Sequence, residues 1–80
     1  MVKLLFYTTS GCHLCEQAEQ LLLFLQSGVP VDWQAVDIST DPLLVEEYGI
    51  RIPVLKRSDN NCELGWPFDY ATLQQFVSAV

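Results

Sequence analysis

Cys12 and Cys15 stand two residues apart in Ser10-Gly11-Cys12-His13-Leu14-Cys15, and two thiols at that spacing can form and break a disulfide. A bridge between them closes only a tiny loop. Cross-link stabilisation grows with the length of the loop closed, so the pair is better suited to chemistry than to stapling the fold. The segment lies where an apolar run ends and a helical stripe begins, which puts Cys12 at a helix N-terminus. There the backbone amides and the positive end of the dipole favour an anion, and Cys12 is the expected nucleophile. Cys15 follows nearly one turn later, inside the helix and more buried, and suits the resolving role.

Neighbouring charges bear on the pair. A protonated His13 beside the nucleophile would stabilise the thiolate and make the disulfide more oxidising, whereas the dipole favours a neutral, solvent-facing imidazole. Glu16 either disfavours a second thiolate at Cys15 or is a solvated carboxylate of the first helical turn. Further along, Ile52-Pro53 opens a strand, where a residue lacking a ladder donor is tolerated. Arg51, Lys56 and Arg57 are three of the four basic residues and cluster around that proline, either as solubilising charge on a short edge strand or, for Arg51, as a partner for a substrate carboxylate. Cys62 reads as a buried small hydrophobe. With Cys12, Cys15 and His13 it could instead complete a zinc site, and Cys12 could hold an iron–sulfur cluster shared between two chains. A non-catalytic metal or cluster module is therefore the alternative reading.

These residues must be held by a small set of elements. Lys3 to Thr8 is an apolar run of strand length that suits a sheet buried on both faces. From Cys12 to Ser27, Leu14, Ala18, Leu21, Leu22 and Leu25 form one helical stripe, which Gly28 would end in a left-handed cap before Pro30. Val31 to Ile38 alternates apolar Val31, Trp33 and Ala35 with polar residues and is expected to pair with the first strand. Asp41-Pro42 starts a short helix that ends at Gly49. Residues 53 to 65 read as a hairpin turning at Ser58-Asp59-Asn60-Asn61, and Asp69 caps a last helix with Leu73, Phe76, Val77 and Val80 on its buried stripe. The order β-α-β-α-β-β-α predicts an α/β domain over residues 1–80, with a four-stranded mixed sheet flanked by helices.

Bulk properties narrow the function classes. Four Lys and Arg against ten Asp and Glu give a formal charge of −6, which repels phosphate backbones and argues against nucleic acid as a partner. The longest apolar run, Leu21 to Leu25, is far short of the roughly 18 residues of a membrane span. With three cysteines and no secretory pattern near Thr8 to Gly11, the expected setting is the reducing cytoplasm.

Over residues 2–80 the chain resembles the glutaredoxin-like branch of the thioredoxin superfamily. The resemblance rests on Tyr7-Thr8-Thr9-Ser10-Gly11-Cys12-His13-Leu14-Cys15, Val36-Asp37-Ile38, Ile50-Arg51-Ile52-Pro53-Val54 and Gly65. It implies a thioredoxin fold, Cys12 as nucleophile and Cys15 as resolving thiol. It also implies a cis Pro53 beside the pair, leaving the Ile52 backbone free to clamp a substrate. Partners would be protein disulfides and glutathione, the latter a co-substrate rather than a tightly bound cofactor, and the protein would be a monomer. Taken together, the residues and the resemblance give His13, Arg51, Ile52, Pro53, Gly65 and Asp69 as the candidate substrate contacts. The sequence departs from the family in carrying His13-Leu14 where Pro-Tyr is typical, Arg51 where Thr is usual, and Gly65-Trp66-Pro67-Phe68-Asp69 in place of a Gly-Gly pair leading to Asp.

Overall fold

A computed structural model describes residues 2–78. Seven principal elements follow one another: β1 (Val2–Thr8), α1 (His13–Gln26), β2 (Val31–Asp37), α2 (Pro42–Tyr48), β3 (Val54–Arg57), β4 (Glu63–Gly65) and α3 (Tyr70–Ser78). A single 3-10 turn, Ile38–Thr40, joins β2 to α2. The strands form one sheet in the order β2-β1-β3-β4. β1 runs parallel to β2 from Val2 opposite Val31 to Thr8 opposite Asp37, and antiparallel to β3 with Tyr7 opposite Val54. β4 returns antiparallel to β3 and sets Gly65 against Val54. The expected element order and mixed sheet are both present.

The central strand is buried on both faces, as its unbroken apolar run requires. Leu4 and Phe6 pack on one side with Ala18, Leu22 and Leu25 of α1 and Leu73 and Val77 of α3. On the other, Tyr7 meets Ile38, Tyr48 and Val54. Val80, placed on the α3 stripe from sequence, lies outside the described residues. Cys15, not Leu14, continues the buried stripe of α1: Cys15 is 4% exposed and Leu14 44%. A helical stripe is set by direction as well as spacing, and the side chain of Leu14 falls on the groove side of the first turn.

Several local expectations are corrected. α1 ends without a left-handed glycine: Ser27 closes it in the right-handed region, with its hydroxyl donating to the Phe24 carbonyl at 2.6 Å, and Gly28 has no positive φ. Ala35 on β2 is exposed, because β2 is an edge strand whose far end is not covered. β3, taken as an edge, is an interior strand. Arg57 on it is 3% exposed, donating to Asp59 and to the Phe76 carbonyl at 2.7 Å, which ties the hairpin to α3. Cys62 is exposed rather than buried, because it belongs to the turn region. There its carbonyl accepts from Arg57 at 2.9 Å and its amide donates to Asn60. α2 starts as expected, with Asp41 accepting from the Leu43 amide at 2.9 Å and Pro42 in the first turn.

Candidate active site

β1 delivers the chain to the sheet's upper end at Thr8, and a tight turn must then redirect it into α1. Gly11 makes that turn at φ +77°, a conformation glycine adopts without the Cβ penalty. Cys12 follows as the helix N-cap, with extended φ −91° and ψ 105°. Its sulfur stands where a Ser or Asp oxygen usually caps: the Cys15 amide donates to Sγ at 3.2 Å, and the Glu16 amide donates to the Cys12 carbonyl at 3.2 Å. Cys12 and Cys15 are joined as a disulfide with their Cα atoms 5.2 Å apart. Cys15 packs into the main core, while Cys12 lies at its margin. The burial difference expected between nucleophile and resolving thiol is present.

Two clefts border the Cys-x-x-Cys segment. One, of about 200 Å³, is bordered by Thr8, Thr9, Ser10, both cysteines, Glu16 and Glu19. The other, about 510 Å³, brings Leu14 of the Cys-x-x-Cys segment together with Ile50, Arg51, Ile52, Val54, Glu63, Gly65 and Trp66. Of the site residues expected from sequence, Arg51, Ile52 and Gly65 therefore share one groove. Pro53 is buried and does not line the groove itself; it follows a cis Ile52–Pro53 bond, and its carbonyl accepts from the Trp66 amide at 3.1 Å. A second cis bond, Trp66–Pro67, follows β4.

Ile52 is less open than expected. Its amide donates to the Tyr48 carbonyl at 3.1 Å, in the turn that closes α2. The Ile52 carbonyl has no backbone partner among the described residues. His13 and Asp69 are not in the groove. The His13 side chain is 91% exposed and 3.6 Å from Glu16, a solvated pair that contributes little. Asp69 caps α3, accepting from the Thr72 amide at 2.8 Å, and this bond holds its carboxyl below the ordinary range.

A polar network unseen in the sequence lies along the groove. Tyr48 is buried and stacks on Tyr7 with centroids 4.2 Å apart, and its hydroxyl donates to Glu63 at 2.6 Å. The other carboxylate oxygen of Glu63 accepts from Arg51 at 2.8 Å, and the Arg51 guanidinium sits 5.0 Å from the Tyr48 ring centroid. The Tyr48 hydrogen bond and Arg51 hold the Glu63 carboxyl below its usual value against the opposing effect of burial, whereas burial and the Glu63 charge push the Tyr48 phenol up. Arg51 is thus already engaged. The one sequence signal for this network is the opposite charge of Arg51 and Glu63, and it acquires meaning only once the hairpin register is known. Among the described residues no group of three or more His, Cys, Asp or Glu side chains is arranged to hold a metal, so Cys62 is not assembled with the pair.

Comparison with known proteins agrees with this architecture. The sequence matches no curated protein. Among solved structures, protein XcR50 from X. campestris shares 36% identity over 96% of this chain and 97% of its own, with a TM-score of 0.83. Protein Ne2328 from Nitrosomonas europaea shares 28% over 95% and 91%, with a TM-score of 0.81. A mutant thioredoxin from Halobacterium salinarum, 20% identical over 98% of this chain and 73% of that one, superposes with a TM-score of 0.77 and shows the common fold. The glutaredoxin-like domain (DUF836) matches residues 3–78, and the chain belongs to that family.

Proposed function

We propose that the protein is a thiol–disulfide oxidoreductase working through the Cys12 and Cys15 dithiol, with protein disulfides and glutathione mixed disulfides as the substrates in scope. The observation that carries the reading is the N-cap position of Cys12, whose sulfur accepts from the Cys15 amide while Cys15 itself is buried. In the reduced protein, the amide and the helix N-terminus favour the Cys12 thiolate. That thiolate attacks one sulfur of the substrate disulfide, forming a mixed disulfide and expelling the other sulfur as a thiolate that takes up a proton. Cys15 then loses its proton and attacks the Cys12 sulfur, forming the intramolecular disulfide and releasing the second substrate thiol. Two electrons pass from the dithiol to the substrate, and two external thiols such as glutathione, acting as co-substrate, restore the pair: the first forms a mixed disulfide with it and the second releases that thiol as the oxidised disulfide. The reading places the protein in the cytoplasm as a monomer, where a reducing thiol pool supplies those electrons.

The test is a pair of variants. Cys15→Ser accumulates a covalent mixed disulfide with substrate, and Cys12→Ser neither reduces nor traps it. Wild-type turnover by Cys12→Ser would overturn the mechanism.

A further inference from the structure

The four cationic side chains of the chain are Lys3, Arg51, Lys56 and Arg57. Lys3 lies at the opposite end of β1 from the cysteines, paired in register with Asp32. Arg57 is buried against Asp59 and α3, also toward that end. Lys56 stands mid-strand opposite Glu63 and is not among the groove-lining residues. Arg51 is therefore the one cation lining the groove among the described residues, and Glu63 neutralises it at 2.8 Å. The cleft that both cysteines line carries Glu16 and Glu19.

A glutathione mixed disulfide brings two carboxylates and one ammonium to the nucleophile. Neither cleft offers those carboxylates an unengaged cation, and one adds repulsion. What the groove does offer is apolar: Leu14 at 44% exposure, Ile50 fully exposed, Ile52 and Trp66, with one backbone carbonyl at Ile52. An extended protein segment with apolar residues beside its cystine matches that surface, each large side chain removed from water contributing favourably.

Building on the oxidoreductase reading, we propose that Glu63 determines specificity. By holding Arg51 it denies the groove a cation for glutathione carboxylates and reserves it for protein disulfides flanked by apolar residues. Glu63 is a positioning residue here, acting through Arg51.

The test uses two synthetic probes with wild-type protein and a dithiol reductant: a peptide with an internal disulfide flanked by Leu and Phe, and a single-cysteine version of that peptide carrying a glutathione mixed disulfide. Wild type is expected to show the higher kcat/KM on the first. Glu63→Gln keeps an acceptor for Tyr48 but releases Arg51 from its counter-charge. It is expected to shift the ratio of the two kcat/KM values about tenfold toward the glutathionylated probe, which corresponds to about 1.4 kcal/mol. Adding Arg51→Ala to Glu63→Gln should abolish that shift, which a merely structural loss at Glu63 would not do. Wild-type preference for the glutathionylated probe, an unchanged ratio in Glu63→Gln, or a gain that survives removal of Arg51 would each overturn the assignment. A wild-type protein inert toward both probes would overturn the oxidoreductase reading, and this inference with it.

Discussion

The amide of Cys15 donates to the sulfur of Cys12 across the first turn of α1, at 3.2 Å. A sulfur that already accepts an amide as a disulfide is placed to accept it more strongly as an anion. In the reduced protein the Cys12 thiol is expected to titrate below the ordinary thiol range, and Cys15 above Cys12. Alkylation by iodoacetamide across pH, followed by mass spectrometry of each cysteine, measures both. Equal reactivity of the two thiols would refute the division of roles.

Gly11 occupies φ +77° at the turn that aims Cys12. No heavy atom lies within 4 Å of a Cβ built there, so substitution strains only the backbone. Gly11→Ala is expected to lower stability by roughly 1–2 kcal/mol, the usual cost of a left-handed L-residue. Urea unfolding monitored by far-UV circular dichroism gives the value.

Leu22 is fully buried between α1 and the sheet. Leu22→Ala should cost roughly 2–5 kcal/mol, from lost transfer energy and the cavity left behind. A domain of this size has only about 4–12 kcal/mol in total, so the variant is expected to melt at markedly lower temperature. A calorimetric midpoint within a degree or so of wild type would contradict the packing described.

Glu63 is held below its ordinary value of 4.5 by the Tyr48 hydroxyl first and by Arg51 next. A carboxylate more acidic in the folded than in the unfolded state contributes stability that is full above the unfolded value and is lost as pH falls through the folded one. Asp37, Asp59 and Asp69 are held low as well, by the Ser39 amide, the Arg57 guanidinium and the Thr72 amide respectively. Stability should therefore decline as pH drops below about 5, and the decline should be shallower in Glu63→Gln than in wild type. Denaturant midpoints measured across that range provide the comparison; parallel curves would remove Glu63 from the acid response.

The element order and the pairing of β1 with β2 were legible because apolar spacing and helix starts are local properties. The helix stop at Gly49, the caps at Asp41 and Asp69, and the hairpin turn at residues 58–61 were likewise found from short-range chemistry, whereas α1 stops at Ser27 and not through the left-handed Gly28 cap that was expected. What escaped depends on where strands lie relative to one another. Arg57 looks like surface charge until β3 becomes an interior strand and α3 presents the Phe76 carbonyl to it. Cys62 looks like a core residue until the hairpin register places it beside the turn. In the candidate site, the thiols were found from their spacing and from their placement between an apolar run and a helical stripe. The engagement of Arg51 by Glu63, twelve residues away, follows from a tertiary contact that no local pattern encodes, whereas the Ile52 amide is taken by the Tyr48 carbonyl in the local turn that closes α2.

The two tryptophans divide the sheet between them. Trp66 borders the groove beside β4, while Trp33 packs edge-on against Phe6 from β2, at the opposite edge. An occupant of the groove dries one indole and leaves the other in unchanged surroundings. Emission from the unlabelled protein thus serves as a built-in optical gauge of docking, with the Trp33 signal as its internal reference and Trp66→Phe as the silent control.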